Sequence, residues 1–418
     1  MPRILPAPGP PRVLALAQLA NSLGDGAFYA TSALFFTQVV GLSPTRVGLA
    51  LTLGWGLGML AGVPLGYAAD RWGPRRTAVL LAVVTATALA AFLVVRSFPL
   101  FLLVVCVYTC CQSGLTSARQ ALLAGLVPAG ERTRVRAQLQ STLNAGLAVG
   151  AGLGAVALGL DSEAAYLTVF ALDAASFAAA ALVLCRVPEV APSPVVRTAG
   201  EPRLAVLRDR PYALVTLLNA VLYLNMPLLS LGLPLWIVER TDAPKPMAAT
   251  LLVVNMLSVV VFQVRVAREV TDIRGASRAI GRAGLLMLAA CVLYATTGGR
   301  IGAVAAVAVL LVAAGVQVYG EMAQGAGAWE LGFGLAPEHQ QGQYQGFFGM
   351  GPQIARMLGP LLLTTLLLGL GTAGWLILGG LFLAAGLAVA PAVRWAERER
   401  LRACPGTAGG RADGARAT

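Results

Sequence analysis

Five ionisable side chains stand where the sequence is otherwise apolar for many residues in both directions. They are the acids Asp25, Asp173 and Glu321 and the bases Arg119 and Arg356. A carboxylate at the centre of a bilayer costs roughly 2.5–3.5 kcal/mol on insertion scales, so such a group is kept for a reason. Burial favours the protonated form of a carboxyl, and a nearby Arg favours the ionised form. A carboxyl that alternates between two such surroundings can take up a proton in one and release it in the other. Asp25, inside "NSLGDGAFYA", is expected to be the principal proton-linked carboxylate, with Glu321 binding protons or substrate and Asp173 as a third candidate. The alternative for each is a structural hydrogen bond, for Asp25 either with Asn21 one helical turn away or with a neighbouring helix. Arg356 reads equally as a counter-ion and as a substrate ligand.

Aromatic and amide side chains near these charges are candidates for a pocket wall. The first half offers Phe28, Tyr29 and Phe36, with Trp55 and Gln112. The second half offers Asn219, Tyr223, Asn225 and Asn255, followed by Gln317, Tyr319 and Trp329. A broad-specificity pocket is mostly apolar with few polar anchors. A sugar site would want more hydrogen-bonding side chains around aromatic platforms.

Other chemistry is excluded by what is missing. The only Lys, Lys245 in "DAPKPM", lies far from any Gly-rich loop, so there is no phosphate-binding loop for ATP. The only His, His339 in "APEHQQG", rules out a His-based metal cluster, nucleophile dyad or intramembrane proton relay. No cofactor, no metal and no enzyme activity are expected. The six Cys offer no disulfide framework in outward loops.

The elements that hold these residues are membrane helices. The chain has 418 residues, of which 57% are hydrophobic and 12% charged, where a soluble domain carries about 25% charged residues. Apolar runs long enough to span a bilayer recur along the chain, which makes an all-α membrane protein. Twelve spans are expected, at about 12–40, 45–67, 77–96, 98–127, 137–160, 164–185, 212–238, 246–267, 279–298, 301–330, 343–370 and 372–393. The stretch 186–211, rich in Pro and Arg, divides them into six-helix bundles at 1–185 and 212–394. Residues 395–418 read as a polar, disordered tail. The first span has no cleavage site after it and is expected to remain as a helix.

The net charge of +12 lies mostly in short loops on one side. If that side is the cytoplasm, the opposite side holds only Arg46, Arg96, Arg240, Lys245 and Arg300. The positive-inside rule then places both termini in the cytoplasm of a plasma (inner) membrane. The charge therefore gives no reason to expect nucleic-acid binding.

Between spans 2 and 3 stands Gly66-Tyr-Ala-Ala-Asp70-Arg71-Trp-Gly73-Pro-Arg75-Arg76. It resembles the G-x-L-A-D-R-x-G-R-R/K loop of the major facilitator superfamily, and the twelve spans split six and six extend the resemblance to the whole chain. In that family the loop latches the two halves on the cytoplasmic side of the outward-open state. Gly66 and Gly73 permit close packing and a tight turn, and Asp70 can cap the start of a neighbouring helix or pair with an Arg. The second copy, "RVAREVTDIRGAS", keeps only Glu269 or Asp272 with Arg274 and Gly275. Gly146, Gly150 and Gly154 in span 5 look like the G-x-x-x-G-P-x-x-G-G motif of the family's antiporters, with Ala151 and Ala155 replacing two of its residues. Small residues at this spacing also simply let helices approach. The stretches "SARQALLAGLVP" and "FALDAASFAAAALVL" resemble macrolide-efflux members, whereas the mid-span-4 Arg of many drug/proton antiporters is absent from "VVCVYTCCQSG".

The resemblance implies a monomeric secondary transporter in contact with lipid, protons and a small molecule, exporting amphipathic compounds in exchange for protons. Uptake of a nutrient by symport is the alternative. A non-transporting membrane protein or lipid scramblase is the alternative of another class.

Overall fold

The computed structural model describes residues 5–160, 162–190, 204–299 and 301–403. Its regular structure there is helical. The first half contains α1 (Pro10–Leu34), α2 (Pro44–Trp72), α3 (Pro74–Phe92), α4 (Phe98–Leu126), α5 (Ala129–Leu160) and α6 (Glu163–Leu184). The second begins with α7 (Arg210–Leu222), the short α8 (Asn225–Pro227) and α9 (Leu233–Arg240). It continues through α10 (Met247–Ala267), α11 (Ile273–Thr296), α12 (Ala303–Gly334), α13 (Gln341–Phe348), α14 (Met350–Leu363) and α15 (Thr372–Ala403).

Among the described residues, ten helical stretches are long and apolar enough to cross a membrane, and α7 to α9 form one of them. Two of the twelve expected spans fall outside that set. One is α1, whose Gln18, Asn21, Ser22 and Asp25 reduce its hydropathy. The other is residues 341–369, divided into α13, α14 and a π turn at Thr364–Gly369. These two carry Asp25 and Arg356, so the polarity that weakens the span signal is the same polarity that suggested chemistry.

Several boundaries differ from the expected ones because charged residues extend helices. α5 starts at Ala129 rather than 137, with Glu131 in its first turn, where a negative charge complements the helix dipole. Arg132 reaches back to the Ala124 and Val127 carbonyls, at 2.7 and 3.1 Å, where α4 ends. Asp272 caps α11 by accepting from the Gly275 amide at 2.8 Å, which draws Arg274 and Arg278 into the helix. α15 continues to Ala403, so residues 395–403, read as tail, are helical; 404–418 and the linker portion 191–203 lie outside the described residues.

Two apolar cores form. One joins Phe28, Phe36, Phe92, Tyr108 and Phe170 with ring centroids 5.2–6.4 Å apart. The other centres on Trp236, Tyr294 and Trp375, with centroids 5.5 and 5.0 Å apart along the chain of rings. Outside them, large apolar side chains such as Leu182, Val304 and Leu361 are exposed, as a lipid-facing surface requires.

The seating of α1 depends on glycine. A Cβ at Gly150 would run into the Leu23 carbonyl, one at Gly146 into Ser22 Oγ, and one at Gly154 into Ala30 and Ala27. Gly26 meets the α5 backbone from the other side at Leu147 and Ala151. Gly150→Leu is therefore expected to destabilise the fold by about 1–3 kcal/mol through overpacking. Gly152→Leu, where a Cβ meets open space, is the control of equal helix propensity. Melting in detergent compares them; equal melting temperatures would show that α1 does not depend on this contact.

Candidate functional site

In the first half, α1 and α4 bring two polar faces together. Gln18, Asn21 and Asp25 recur at helical spacing on α1, and Tyr108, Gln112 and Arg119 on α4. Gln112 Nε2 donates to Asp25 Oδ1 at 3.4 Å and to the Tyr108 hydroxyl at 3.1 Å. Arg119 Nη1 donates to Gln18 Oε1 at 3.4 Å. With its amide turned to satisfy both ends, Asn21 accepts from Arg119 Nη1 and Nη2 at 3.1 and 2.6 Å and donates to the Ala17 carbonyl at 3.2 Å. Asp25 is thus 8% exposed, held by an amide, with the Arg119 guanidinium close enough to act on its charge. Asn21, a possible partner by sequence, turns to Arg119 instead.

Asp173 stands apart from this face. It is fully buried on α6 against Gly24, where a Cβ would overlap its carboxylate. Ser176 Oγ lies 3.3 Å from its Oδ1.

In the second half, Glu321 on α12 accepts from Asn255 Nδ2 of α10 at 2.8 Å. Three residues on, Gln324 Nε2 donates to Asn219 Oδ1 of α7 at 2.7 Å. Tyr223 of α7 lies within electrostatic reach of both Glu321 and Arg356. Counted at 1.5 Å per residue from the Asp70 end of their helices, Asp25, Glu321 and Arg356 all sit at ~20–22 Å.

The remaining candidate wall residues divide. Tyr29 is exposed beside Asp25, while Trp55 and Gln112 are half-buried. Phe28 and Phe36 belong to the aromatic core, and Gln317 is taken up by the Tyr294 hydroxyl at 2.7 Å. Tyr319, two residues before Glu321, lies on the opposite side of α12. Asn225 is buried at the break between α7 and α9, beside Pro227. Trp329 lies under the Arg136 guanidinium, 5.6 Å from its ring centre. Arg119 lies within α4, one of the ten apolar helical stretches.

The halves meet at the Asp70 end. Asp70 Oδ1 and Oδ2 accept from the backbone amides of Gly342 and Gln343 at 2.6 and 2.9 Å, so this carboxylate caps the first turn of α13 from the other half. Neither Gly66 nor Gly342 has room for a Cβ against the other's backbone, and Gly62 and Gly346 repeat the approach one turn on. Thr133 of α5 donates to Glu330 of α12 at this end; farther along, ~18–20 Å from it at 1.5 Å per residue, Gln353 Nε2 donates to Ser113 Oγ of α4 at 3.0 Å. Arg75 and Arg76 do something else. They bind the Val187 carbonyl at 3.0 Å and Glu189 at 2.7 Å, tying down the start of the linker. Arg71 is exposed and Gly73 adopts φ 96° in the turn before α3. In the degenerate copy Asp272 caps its own helix.

Sequence reasoning missed Tyr108, Gln324, Thr133, Gln353 and Arg136. Only the Tyr108/Gln112/Arg119 recurrence on α4 carried a readable signal. Thr133, Gln353 and Arg136 acquire partners from the other half, and Gln324 from α7, 105 residues earlier.

A family model described as Major Facilitator Superfamily matches residues 14–360. No curated protein matches the chain in sequence. Among solved structures, the fold is similar to a bacterial homologue of the iron transporter ferroportin in an outward-facing state, with TM-score 0.70, 18% identity, 93% of this chain and 99% of that one covered. It is similar to the human organic anion transporter MFSD10, with TM-score 0.68, 19% identity and coverage of 91% and 98%. It is also similar to the E. coli fucose:proton symporter FucP, with TM-score 0.67, 15% identity and coverage of 93% and 98%.

Proposed function

Because the chain belongs to the Major Facilitator Superfamily, we propose that it is a proton-coupled exporter of amphipathic small molecules working by alternating access. In this reading twelve spans form two six-helix halves, 1–185 and 212–394, in the plasma (inner) membrane, with both termini cytoplasmic and the Asp70 latch on the cytoplasmic side. The transporter acts as a monomer and uses no cofactor. The observation that carries the reading is Asp25, a mid-depth carboxylate set between the Gln112 amide and the Arg119 charge. A small movement of α1 against α4 changes which of these it faces, and with it the carboxyl's preference for a proton. Contacts close the halves at the Asp70 end, while Tyr29 and Arg356 at mid-depth remain exposed. That is the asymmetry one state of an alternating-access carrier needs.

Uptake by symport is the second reading, favoured by Ala151 and Ala155, where α5 departs from the antiporter pattern. Purified protein in liposomes under pH gradients of either sign separates the two. A lipophilic cation, a neutral macrolide and a sugar serve as probes. An antiporter concentrates the lipophilic compounds on the acid side, against the proton flow. A symporter concentrates its solute on the alkaline side. No movement of any probe under either gradient, a zwitterionic amphiphile included, would sink the transport reading.

A further inference from the structure

Three sides of α14 can be told apart. Gly351, Ala355 and Gly359 pack toward α7 and α8, where Cβ atoms at the glycines would meet Thr216, Ala220 and Pro227. Met357, Leu358 and Leu361 form an exposed apolar stripe on another side. Gln353 marks the third by bonding Ser113 of the other half, and Arg356, three residues on, shares it. Arg356 is exposed there and within electrostatic reach of Tyr29 of α1 and of Tyr223 at the end of α7, one residue from each half. Glu321 of α12, steadied by Asn255, also acts on Tyr223.

Neither side chain has an ion-pair partner among the described residues, and no hydrogen-bond acceptor meets Arg356 there. Asp25 makes no ion pair with Arg356 either; its amide partner Gln112 and the guanidinium that acts on it, Arg119, both come from α4. Two ionisable groups of opposite sign thus lie at similar distances from the Asp70 end, both within electrostatic reach of Tyr223 and with no ion pair between them among the described residues. A guanidinium presents paired donors that match a carboxylate, and a carboxylate held by one amide keeps acceptor capacity for an ammonium.

We propose that Glu321 and Arg356 form a binding site for zwitterionic amphipathic molecules, the cationic group at Glu321, the anionic group at Arg356 and the apolar body along Tyr29 and Tyr223. This rests on the reading of the chain as a carrier of amphipathic compounds and adds the charge pattern of its substrate.

The test uses Nε-dansyl-L-lysine, a zwitterion with an environment-sensitive fluorophore. Its methyl ester is cationic, its Nα-acetyl form anionic and the doubly blocked form neutral. Binding to the purified protein is read by dansyl fluorescence and movement by uptake into liposomes. The zwitterion is expected to bind at least about tenfold more tightly than each singly blocked form. In Arg356→Gln the zwitterion and the ester should bind alike; in Glu321→Gln the zwitterion and the acetyl form should. Arg356→Lys and Glu321→Asp should restore part of each preference. Equal binding of all four compounds to the unaltered protein would overturn the proposal, and needs no variant to fold. So would an unchanged order in both neutralised variants. Gradient-driven movement of the neutral form with no charge preference would leave the carrier standing and remove the zwitterion site. The expected binding order without any movement would do the reverse.

Discussion

Asp25→Asn is expected to abolish gradient-driven accumulation while leaving a folded protein that still exchanges substrate down its own gradient. Asparagine has the shape of aspartate and keeps an oxygen for the Gln112 amide, whose bond to Asp25 spans 3.4 Å. What it removes is the site for a proton and the charge that Arg119 feels. Arg119 retains Gln18 and Asn21 as acceptors, so its guanidinium is not orphaned. The driving force is about 1.4 kcal/mol, about tenfold in concentration ratio, per pH unit for each proton exchanged. The substrate ratio reached under a pH gradient should fall from that limit to one. Exchange of labelled for unlabelled substrate at equal pH on both sides, which requires no net proton movement, should persist. If accumulation survives in Asp25→Asn, the carboxylate is a structural hydrogen bond and Glu321 becomes the carrier of the proton. If exchange and melting temperature collapse together, its role is to join α1 to α4.

The residues legible from the sequence were those whose meaning is local. The Gly66–Arg76 pattern allowed Asp70 to cap a neighbouring helix or to pair with an Arg, and it caps α13. The intramembrane charges were found by contrast with their apolar neighbours, and three of them lie at a common depth. What was not legible depends on partners remote in the chain. Nothing near Gln353 indicates Ser113, and nothing near Glu330 indicates Thr133. The division of labour inside the Asp70 motif was equally hidden, because Arg75 and Arg76 are assigned by the fold of residues 187–189. Span boundaries failed where arginines were read as loop. A long side chain can leave the helix axis to reach carbonyls, as Arg132 does at the end of α4 and Arg400 at Gly334. The glycines of α5 were read both as an antiporter pattern and as packing. Their contacts with α1 account for the spacing by packing alone, and leave any tie to transport direction to be measured in liposomes.

The second large effect is expected at Asp70→Asn. The aspartate accepts two amides at the first turn of α13, where the helix dipole adds to the attraction. Asparagine can serve one amide through its oxygen; its NH2 faces the other donor. A hydrogen bond to a charged group contributes about 1.5–3 kcal/mol net, and 1.4 kcal/mol is tenfold in an equilibrium constant. The balance between closed and open arrangements at this end should shift toward opening by roughly 10–100-fold. Amide hydrogen exchange reads this directly: residues 341–348 and the facing stretch 62–70 should exchange at least about tenfold faster. Gly66→Val should act in the same direction by a different route, pushing the α2 and α13 backbones apart where no Cβ fits. Arg76→Ala is the informative contrast. Its pair with Glu189 is exposed, with side-chain exposures of 72% and 46%, and such pairs contribute about 0–1 kcal/mol. It should leave exchange at 341–348 unchanged and raise it, if anywhere, near 187–190. Acceleration at 341–348 in Arg76→Ala equal to that in Asp70→Asn would mean that the basic residues share the latch. No acceleration in Asp70→Asn would mean that the glycine contacts hold the halves together without the carboxylate.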